Sequence, residues 1–398
     1  MRAPQSRRSR ACWPGSPEAE AARVHLLHLH SGFDAGGKEL RAVRLMQAFG
    51  PGVRHTIVSA QPGAHGAARL VDPALEVAYP LDFPSLQGLP SPARLHAIAR
   101  AMRPFDLVLT YNWGAMDAVM ARRLFAPLLA LPPLVHHEDG FNQDEAQGLK
   151  PQRNLFRRLA LPAASALVVP SRRLEAIALE TWHQPRGRVV QIVNGIDAAA
   201  CIATPPADAI PGLVKAPGEK WVGTLAGLRK VKNLPRLVRA FAALPGEWKL
   251  VIAGEGPERA EIEAEAARLD IAGRVHLPGF VSPPAGVVGL FDIFALSSDS
   301  EQFPISLVEA MAAGVPVASP AVGDVAAMVT PANRDFVSPA GDETALAAAL
   351  ARLAADADLR ARLGAANRAH ARAHYGEDAM ISAYRRTYAQ AMGRTSFP

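Results

Sequence analysis

Residues 293–318 read IFALSSDSEQFPISLVEAMAAGVPVA. A short apolar strand, Ile293–Leu296, leads through the polar loop Ser297–Ser300 into a helical pattern, and a second strand, Pro316–Ala318, follows. Pro304 fits the first turn of the helix, where its missing N–H costs little. A strand, a helix and a second strand in this order are typical of a parallel sheet with helical crossovers.

The same alternation runs through the rest of the chain. In the first half, apolar runs predict strands at Val24–Leu29, Thr56–Ser59, Leu107–Thr110, Leu134–His136, Leu167–Pro170 and Val189–Val193. In the second half they predict further strands at Trp221–Ala226, Lys249–Ala253 and Val275–Leu277. Residues 198–218, rich in Ala and Pro and without a clean period, separate the two series. The sequence therefore predicts an α/β fold of two successive doubly wound units.

Composition is that of a globular protein. Hydrophobic residues make up 49% of the 398 residues and charged residues 20%, which leaves enough apolar surface for two cores. No apolar run approaches the ~20 residues that cross a bilayer. Residues 1–22 carry four arginines but lack the apolar middle of a secretory signal, so we interpret them as a disordered leader. Cys12 and Cys201 predict neither a disulfide framework nor a thiolate metal site, which favours a reducing cytosol.

The formal net charge of +6 favours anionic partners such as nucleotide phosphates, lipid head groups or nucleic acid. The sequence has no zinc-finger spacing, no aromatic ribonucleoprotein stripe and no dense Lys/Arg helix. Nucleic acid is therefore the least favoured of the three partners.

Two carboxylates flank the start of the helix in residues 293–318. Glu301 stands just before the helix, and Glu309 lies one to two turns inside it. A helix N-terminus at the carboxyl end of a strand attracts phosphate, because its free N–H groups and its dipole favour negative charge. Carboxylates repel phosphate, so we expect these two to bind hydroxyl groups beside it. Taken singly, either glutamate is better explained as a helix-start acid or as a solvated helix residue.

The whole run resembles the E-x7-E signature of family 4 glycosyltransferases, which have the GT-B fold. By this resemblance, Glu301 contacts the donor sugar and Glu309 holds the ribose hydroxyls of a nucleotide-sugar. Phe303 and Pro304 then belong to the donor-binding stretch, although Pro304 stands where the family commonly has Gly and removes one backbone donor. The segment from Glu309 to Pro316 is similar to the family as well.

A basic loop after the first strand of the second unit is also similar to the family. Lys232, just before Asn233, stands at the position of the family's phosphate lysine and would neutralise charge on a departing diphosphate. The family usually has an Arg five residues earlier, where this chain has Gly227, and Arg229 is the candidate substitute. The alternative for both cations is a solvated basic loop.

Two glycine-containing loops follow the next strands of the second unit. Gly254 and Gly256 follow one strand, and Gly279 with Phe280 follows another. Ligands of doubly wound sheets bind at such strand ends. The resemblance implies a nucleotide-facing role, with Gly279 and Phe280 near the base, whereas either pair alone is ordinary turn chemistry.

Three loops of the first unit are expected to face the sugar or the acceptor. Gly36 and Gly37 let the backbone pass close to a ligand, and the family has a similar Gly-rich loop there. The family also carries a His at the end of a later strand, close to the donor sugar; we select His137, with His136 as the alternative. Asn112 ends the preceding strand and is expected to line the acceptor side.

The resemblance implies a retaining hexosyltransferase with Glu301, His137 and Lys232 as catalytic residues. Its donor would be a nucleotide-sugar, a UDP-sugar being most frequent in the family, and its acceptor a glycan or lipid-linked molecule of exopolysaccharide or cell-envelope synthesis. No Asp-x-Asp motif flanks a plausible site and no His/Cys cluster has metal-ligand spacing, so we expect no obligatory metal and no other cofactor. The alternatives are a GT-B nucleotide-sugar epimerase and a non-catalytic two-domain ligand-binding protein.

The expected organisation follows from the same resemblance. After the leader, residues 23–197 form an acceptor-side Rossmann-like domain and residues 198–374 a nucleotide-sugar-binding one, facing each other across a cleft. Residues 375–398 form a helix that crosses back onto the first domain. We expect a cytoplasmic protein, with peripheral association at the inner face of the membrane left open.

Overall fold

The computed structural model describes residues 23–141, 145, 148–201 and 203–398. The leader predicted for residues 1–22 lies outside the described residues. In the described part, two parallel sheets form, one of seven strands and one of six, and each packs against helices. The predicted fold class of two Rossmann-like domains is confirmed.

The first sheet is built around β1. Its strands are β1 (Val24–His30), β2 (Val53–Ser59), β3 (Val77–Ala78), β4 (Leu107–Tyr111), β5 (Leu134–His137), β6 (Ala166–Val169) and β7 (Val189–Gln191). They lie in the order β3-β2-β1-β4-β5-β6-β7, and β1 pairs in parallel with both β2 and β4. Buried parallel strands have continuous apolar runs, which made the longer ones predictable. The two-residue edge strand β3 has no readable period and is absent from the prediction.

The second sheet repeats the plan around β8. Its strands are β8 (Lys220–Leu225), β9 (Trp248–Ala253), β10 (Val275–Gly279), β11 (Ile293–Ala295), β12 (Val317–Pro320) and β13 (Val337–Ser338). They lie in the order β10-β9-β8-β11-β12-β13, with β8 parallel to β9 and β11. The short edge strand β13 is again absent from the prediction.

Helices connect the strands of both sheets. In the first domain they are α1 (Gly37–Phe49), α2 (Pro92–Met102), α3 (Met116–Phe125), α4 (Pro151–Ala160) and α5 (Arg172–Ala176). In the second they are α6 (Leu234–Ala242), α7 (Arg259–Arg268), α8 (Ile305–Ala313), α9 (Val325–Met328), α10 (Glu343–Ala355) and α11 (Ala357–His374). Helix α12 (Glu377–Ala391) follows.

Apolar spacing determines which face of a helix is buried. The apolar residues that recur at helical spacing in α1 are at most 5% exposed: Ala42, Leu45, Met46 and Phe49. Those of α6 are at most 3% exposed: Leu234, Leu237, Val238 and Phe241. Residues three and four apart share a helix face, and burying one large apolar side chain stabilises the fold by about 1.5–3 kcal/mol.

The strand order places a crevice at the same edge of each sheet. On one side of β1 lies β2 and on the other β4, and β8 likewise lies between β9 and β11. Loops that leave such a pair of strands diverge, which opens a ligand site at their carboxyl ends. The loops that carry Gly36 and Gly37, Asn112, Lys232 and Glu301 follow β1, β4, β8 and β11 respectively.

The last helix crosses back onto the first domain, as predicted. The chain leaves the second domain at Tyr375, whose carbonyl accepts from Ile196 N at 2.9 Å. In α12, Met380, Tyr384 and Tyr388 are at most 3% exposed and join the core around β1 and β4. Helix α12 therefore completes the first domain. The exact domain boundaries given above stay a prediction.

Candidate active site

A short ion pair joins the loops after β8 and β11. Lys232 ends the turn Lys230–Lys232, and its Nζ lies 2.5 Å from Oε1 of Glu301. Ser298 Oγ donates to the same Oε1 at 2.7 Å, and Ser297 Oγ donates to the carbonyl of Lys232 at 2.9 Å. The side chains of Lys232 and Glu301 are 18% and 10% exposed, so the pair is partly desolvated. Two predicted catalytic residues thus lie side by side.

Helix α8 begins four residues after Glu301. Pro304 immediately precedes the helix with an extended backbone, φ −68° and ψ 111°, and so does not lie in the first turn as predicted. Its ψ places it one position outside the helix, where it helps to start the helix without donating a hydrogen bond. The N–H groups of Ile305 and Ser306 have no partner from an earlier turn and are available to an anion.

Glu309 lies inside α8 and is partly buried. Within the described residues its carboxylate makes no hydrogen bond and no ion pair. Burial raises the pKa of the Glu309 carboxyl to about 7. A buried carboxylate without donors is unfavourable, so this position is suited to a ligand that brings hydroxyl groups.

The first residues of α1 and α8 meet across the cleft. A Cβ added to Gly37 would lie 3.5 Å from Cδ1 of Ile305. Gly36 caps α1 with an extended backbone, and a Cβ there would come within 2.8 Å of the Glu39 carboxylate. Gly37 therefore lies in van der Waals range of the start of α8, whereas Gly36 leaves room for Glu39 of its own domain.

Lys38, which no sequence motif singles out, brings positive charge to the same place. Its side chain is 16% exposed and pairs with Glu39. Burial lowers the pKa of Lys38 to about 8; Asp139 opposes this lowering, and the positive charges of Arg229 and Arg41 add to it. Because Arg229 belongs to the second domain, cations of both domains converge here. A single lysine after two glycines does not indicate such a cluster of cations in the sequence.

Arg229 folds back over Gly227. Its Nε lies 3.4 Å from the point that a Cβ at residue 227 would occupy, and its backbone N–H donates to the Gly227 carbonyl at 2.8 Å. Within the described residues the exposed side chain makes no ion pair. The guanidinium group of Arg229 therefore lies next to the position that the Cβ of a side chain at residue 227 would occupy.

Two family models match the chain in succession. One, described as Glycosyltransferase Family 4, matches residues 35–200, and the other, described as Glycosyl transferases group 1, matches residues 208–370. The chain belongs to glycosyltransferase family 4. The signature around Glu301 and Glu309 falls inside the second match.

Named relatives resemble this glycosyltransferase over different lengths. A D-inositol 3-phosphate glycosyltransferase of Xylanimonas cellulosilytica is 27% identical over 409 residues, covering 96% of this chain and 94% of that protein. An N-acetyl-alpha-D-glucosaminyl L-malate synthase of Bacillus anthracis is 30% identical over 172 residues, 43% of this chain. That second match spans 45% of the length of the Bacillus protein.

Solved structures share the fold along nearly the whole chain. A sucrose-phosphate synthase from Thermosynechococcus elongatus superposes with a TM-score of 0.75 at 22% identity, covering 93% of this chain and 100% of that one. Anabaena HepE in complex with UDP-glucose gives a TM-score of 0.73 at 19% identity, with coverage of 93% and 100%. The GT-B arrangement of this glycosyltransferase is thereby confirmed.

Gly254 and Gly256 pack against the backbone of the loop that leads to Arg229. Both have positive φ, +153° and +155°, and a Cβ on them would lie 1.9 Å from the Ala226 carbonyl oxygen and 2.3 Å from that of Leu228. The two glycines thus let the loop after β9 pack against the backbone that leads to Arg229. The nucleotide contact predicted for them stays a prediction.

Phe280 lies at the edge of the cleft. It is 39% exposed, and the guanidinium carbon of Arg69, from the first domain, lies 5.6 Å from its ring centroid. Gly279 precedes it with φ +89° and accepts from Gly254 N at 2.8 Å. The ring is therefore available to stack, although no contact of the structure tests the predicted proximity to a base.

His137 is not open to the cleft, in contrast to what its predicted role requires. It is 1% exposed; its Nε2 lies 3.0 Å from Tyr388 Oη and its Nδ1 3.1 Å from the Thr110 carbonyl oxygen. The alternative, His136, is also buried, and its Nδ1 lies 2.8 Å from Thr110 Oγ1. Helix α12 covers the end of β5, which the local sequence around these histidines does not reveal. A catalytic role for His137 has no geometric support here.

Asn112 and Phe303 have supporting contacts in this structure. Asn112 has φ +54°, and its Oδ1 accepts from the backbone N–H of Asp139 at 2.7 Å, which ties together the loops after β4 and β5. Phe303 is 7% exposed and packs edge-on against Tyr375 at 5.5 Å between centroids. The ligand contacts predicted for both stay predictions.

A buried arginine, missed in the sequence, organises the first domain beside Lys38. Arg41 pairs with Asp139 and donates to Asn194 Oδ1 at 2.9 Å, and its side chain is 3% exposed. No short motif signals this contact, because the partners lie 98 and 153 residues away.

In the described ranges, no group of three or more His, Cys, Asp or Glu side chains is arranged to hold a metal ion. Within those ranges too, no helix is both long and apolar enough to span a bilayer.

Proposed function

We propose that this glycosyltransferase is a retaining hexosyltransferase whose donor is a nucleoside-diphosphate sugar, with UDP as the nucleotide. The observation that carries the proposal is the Lys232–Glu301 ion pair beside the first turn of α8, opposite Gly37. A cation suited to a leaving diphosphate and a carboxylate suited to sugar hydroxyls stand next to each other there.

The ribose, the diphosphate and the sugar of the nucleotide-sugar each bind different groups of this site. The ribose hydroxyls donate to Glu309, whose carboxylate lacks partners among the described residues. The diphosphate takes the free N–H groups of α8 together with Lys232 and Arg229, and the sugar hydroxyls bind Glu301. Anabaena HepE, which has the same fold, is solved with UDP-glucose, and this supports UDP as the nucleotide.

Retention of the anomeric configuration is supported by the side chains of the first domain that would face the donor. An inverting enzyme needs a general base on the far side of the sugar. At the end of β5, Glu138 lies 3.1 Å from Arg157, and Asp139 pairs with Arg41. Burial, with a smaller effect of Arg41, lowers the pKa of His137 to about 3. None of these groups offers a free base.

The transfer then proceeds on one face of the sugar. The bond between the anomeric carbon and the diphosphate oxygen breaks, and the acceptor hydroxyl oxygen bonds to that carbon from the same side. Its proton passes to the departing phosphate oxygen. Lys232 and Arg229 meet charge that grows as the bond breaks, so their effect is greater in the transition state than in the ground state.

The acceptor is proposed to be a glycan or a lipid-linked glycan of exopolysaccharide or cell-envelope synthesis. Support comes from an exposed surface of the first domain, here called the leucine–arginine face. It comprises Leu124, Leu128, Leu155 and Leu159, which are 50%, 79%, 56% and 55% exposed, with the exposed Arg123 and Arg158. Arg122 Nε donates to the Ala163 carbonyl at 3.0 Å and so joins the ends of α3 and α4.

This face fits an anionic bilayer surface. Leucines can enter the head-group region while arginines contact lipid phosphates. Within the described residues, Arg123 and Arg158 have no acidic partner. A peripheral position at the membrane would bring the enzyme to a lipid-linked acceptor.

The test begins with donor binding and ends with product stereochemistry. Thermal shift with UDP, GDP and ADP identifies the base, since a ligand at 100 times its Kd stabilises by about 2.7 kcal/mol. NMR of the product from the matching nucleotide-sugar should show the anomeric configuration of the donor. An inverted product would overturn retention. An epimerised donor in the absence of acceptor would indicate an epimerase, and tight binding without turnover a ligand-binding protein.

A further inference from the structure

A carboxylate of the second domain caps a helix of the first. Asp324 Oδ2 accepts from the backbone N–H of Arg172 at 2.7 Å, and Oδ1 accepts from that of Arg173 at 3.1 Å. Ser171 Oγ accepts from the next N–H, of Leu174, at 3.1 Å. The first turn of α5 therefore has its N–H groups satisfied jointly by both domains.

Gln302 makes the second contact of this junction. It is 6% exposed, and Ser171 Oγ lies 3.5 Å from its Oε1. A Cβ added to Gly140, in the loop after β5, would lie 3.2 Å from Gln302 Cγ. The residue directly after Glu301 is thus enclosed by two loops of the first domain.

The capping residue and the Glu301 loop share one backbone support. Asp324 N donates to the Gln302 carbonyl at 3.2 Å. Gly323 has φ +57°, and a Cβ there would lie 2.3 Å from the Glu301 carbonyl oxygen. A displacement of residues 323–324 must therefore move the backbone of Glu301.

We propose that Asp324 and Gln302 are positioning residues that couple closure of the two domains to the placement of Glu301. When the domains separate, water replaces Asp324 at the N–H groups of Arg172 and Arg173. When they close, Asp324 takes these groups, and the Glu301 loop is held between Gly323 and Gly140. This inference rests on the proposed role of Glu301 toward the donor sugar.

The coupling has a physical basis in where each donor group binds. Glu309 and Lys232 belong entirely to the second domain, so nucleotide binding needs no contact with α5. Glu301 meets the sugar, and an error of about 1 Å in a reacting group costs on the order of 100-fold in rate. Loss of the junction should therefore reduce turnover and leave nucleotide affinity nearly unchanged.

Two substitutions remove the junction from opposite sides. Asp324→Ala removes the acceptor. Arg172→Pro removes the backbone N–H that Asp324 accepts at 2.7 Å, at the first position of a helix, where proline is tolerated and the extended Ser171 suits a following proline. The matched control is Asp342→Ala, since Asp342 caps α10 within the second domain by accepting from Ala345 N at 2.8 Å.

For each variant, four quantities are measured: kcat and KM with a nucleotide-sugar that the wild-type protein uses, the Kd for UDP, and the radius of gyration. We expect Asp324→Ala and Arg172→Pro each to lower kcat by about 10- to 100-fold, with the UDP Kd within twofold of wild type. Both should raise hydrolysis relative to transfer and enlarge the radius of gyration, and the double variant should be no worse than either single one. Asp342→Ala should leave kcat, the UDP Kd, the proportion of hydrolysis and the radius of gyration unchanged.

Additive losses, or an unchanged kcat in both variants that fold as judged by circular dichroism, would overturn the coupling. So would an equal fall in UDP affinity, since that indicates general damage to the second domain. If wild-type protein neither binds UDP nor transfers sugar, the proposed function fails. The radius of gyration of the unliganded variants then still tests whether Asp324 holds the domains together.

Discussion

Lys232 Nζ and Glu301 Oε1 lie 2.5 Å apart across a separation of 69 residues. The two groups come from loops after neighbouring strands, β8 and β11, which pair in parallel. Each group neutralises the charge of the other. Under the proposed function, a diphosphate beside Lys232 would compete with Glu301 for the same ammonium group and so turn the carboxylate toward the sugar hydroxyls.

Lys232→Ala should lower kcat strongly, by about 100-fold or more, because the charge it meets grows in the transition state. Steady-state kinetics with the identified donor measure this. Lys230→Ala, in the same turn but exposed, is the matched control and should retain activity within twofold. Activity of Lys232→Ala within a few-fold of wild type would mean that another cation holds the diphosphate.

An arginine introduced at position 227 should take over the role of Arg229. Arg229→Ala is expected to lower kcat/KM by about 10- to 100-fold, the range for loss of a charge-assisted hydrogen bond. Adding Gly227→Arg to that variant should restore much of the activity, because the Arg229 side chain no longer fills the space 3.4 Å from the added Cβ. Failure of Gly227→Arg to rescue, in a protein that still binds UDP, would contradict the equivalence of the two positions.

Glu309 should make UDP affinity depend on pH. Burial raises the pKa of the Glu309 carboxyl from 4.5 to about 7, so between these pH values the folded protein keeps a proton that the unfolded chain loses. The contribution of this group to the free energy of unfolding is therefore present below pH 4.5 and lost as pH rises through 7. Ribose hydroxyls donate to the ionised form. UDP affinity should therefore rise with pH up to about 7, by up to about tenfold per unit, and level off above it.

Glu309→Gln provides the control for this pH dependence. Isothermal titration between pH 5.5 and 8.5 should give a flatter curve for the variant, and the curve that remains reports ionisation of the UDP phosphate itself, near pH 6. UDP should also bind the variant more weakly at pH 8. Identical curves for both proteins would remove Glu309 from the ribose site.

Gly254→Ala should destabilise the second domain and reduce activity together. Its φ is +153°, and the new Cβ would lie 1.9 Å from the Ala226 carbonyl oxygen, so the loop leading to Arg229 must move. We expect a loss of about 1–3 kcal/mol in the free energy of unfolding. Gly246→Ala, where an added Cβ has nothing within 4 Å, should leave both the melting temperature and kcat nearly unchanged. Equal behaviour of the two variants would contradict the close approach.

The leucine–arginine face should bind anionic vesicles. Leu155→Asp with Leu159→Asp should reduce co-sedimentation with phosphatidylglycerol vesicles by about tenfold or more, since both insertion and charge attraction are lost. Turnover on a soluble acceptor should be unchanged because neither leucine belongs to the active site. Leu81→Asp, which alters a 97% exposed leucine elsewhere, is the control. Vesicle binding that survives the double substitution would place membrane contact on another surface.

Local sequence was sufficient for the architecture and for placing Glu301 and Glu309 about the start of α8, whereas their ligand roles stay predictions. Strands and helix faces follow from periodicity, as at Leu234 and Phe241, because burial on one face repeats with the geometry of the element itself. The spacing of Glu301 and Glu309 about the start of one helix is likewise local. Sequence neighbours remain spatial neighbours there, whatever the rest of the chain does.

Contacts between distant parts of the chain were settled only by the tertiary structure. Tyr388 covers His137 from 251 residues away, Asp324 caps α5 from 152 residues away, and Lys38 faces Arg229 across the cleft. Periodicity tells which side of an element is buried but not which element covers it. That choice depends on how the chain returns in α12 and on how closely the domains approach, and both result from packing energies summed over the whole molecule.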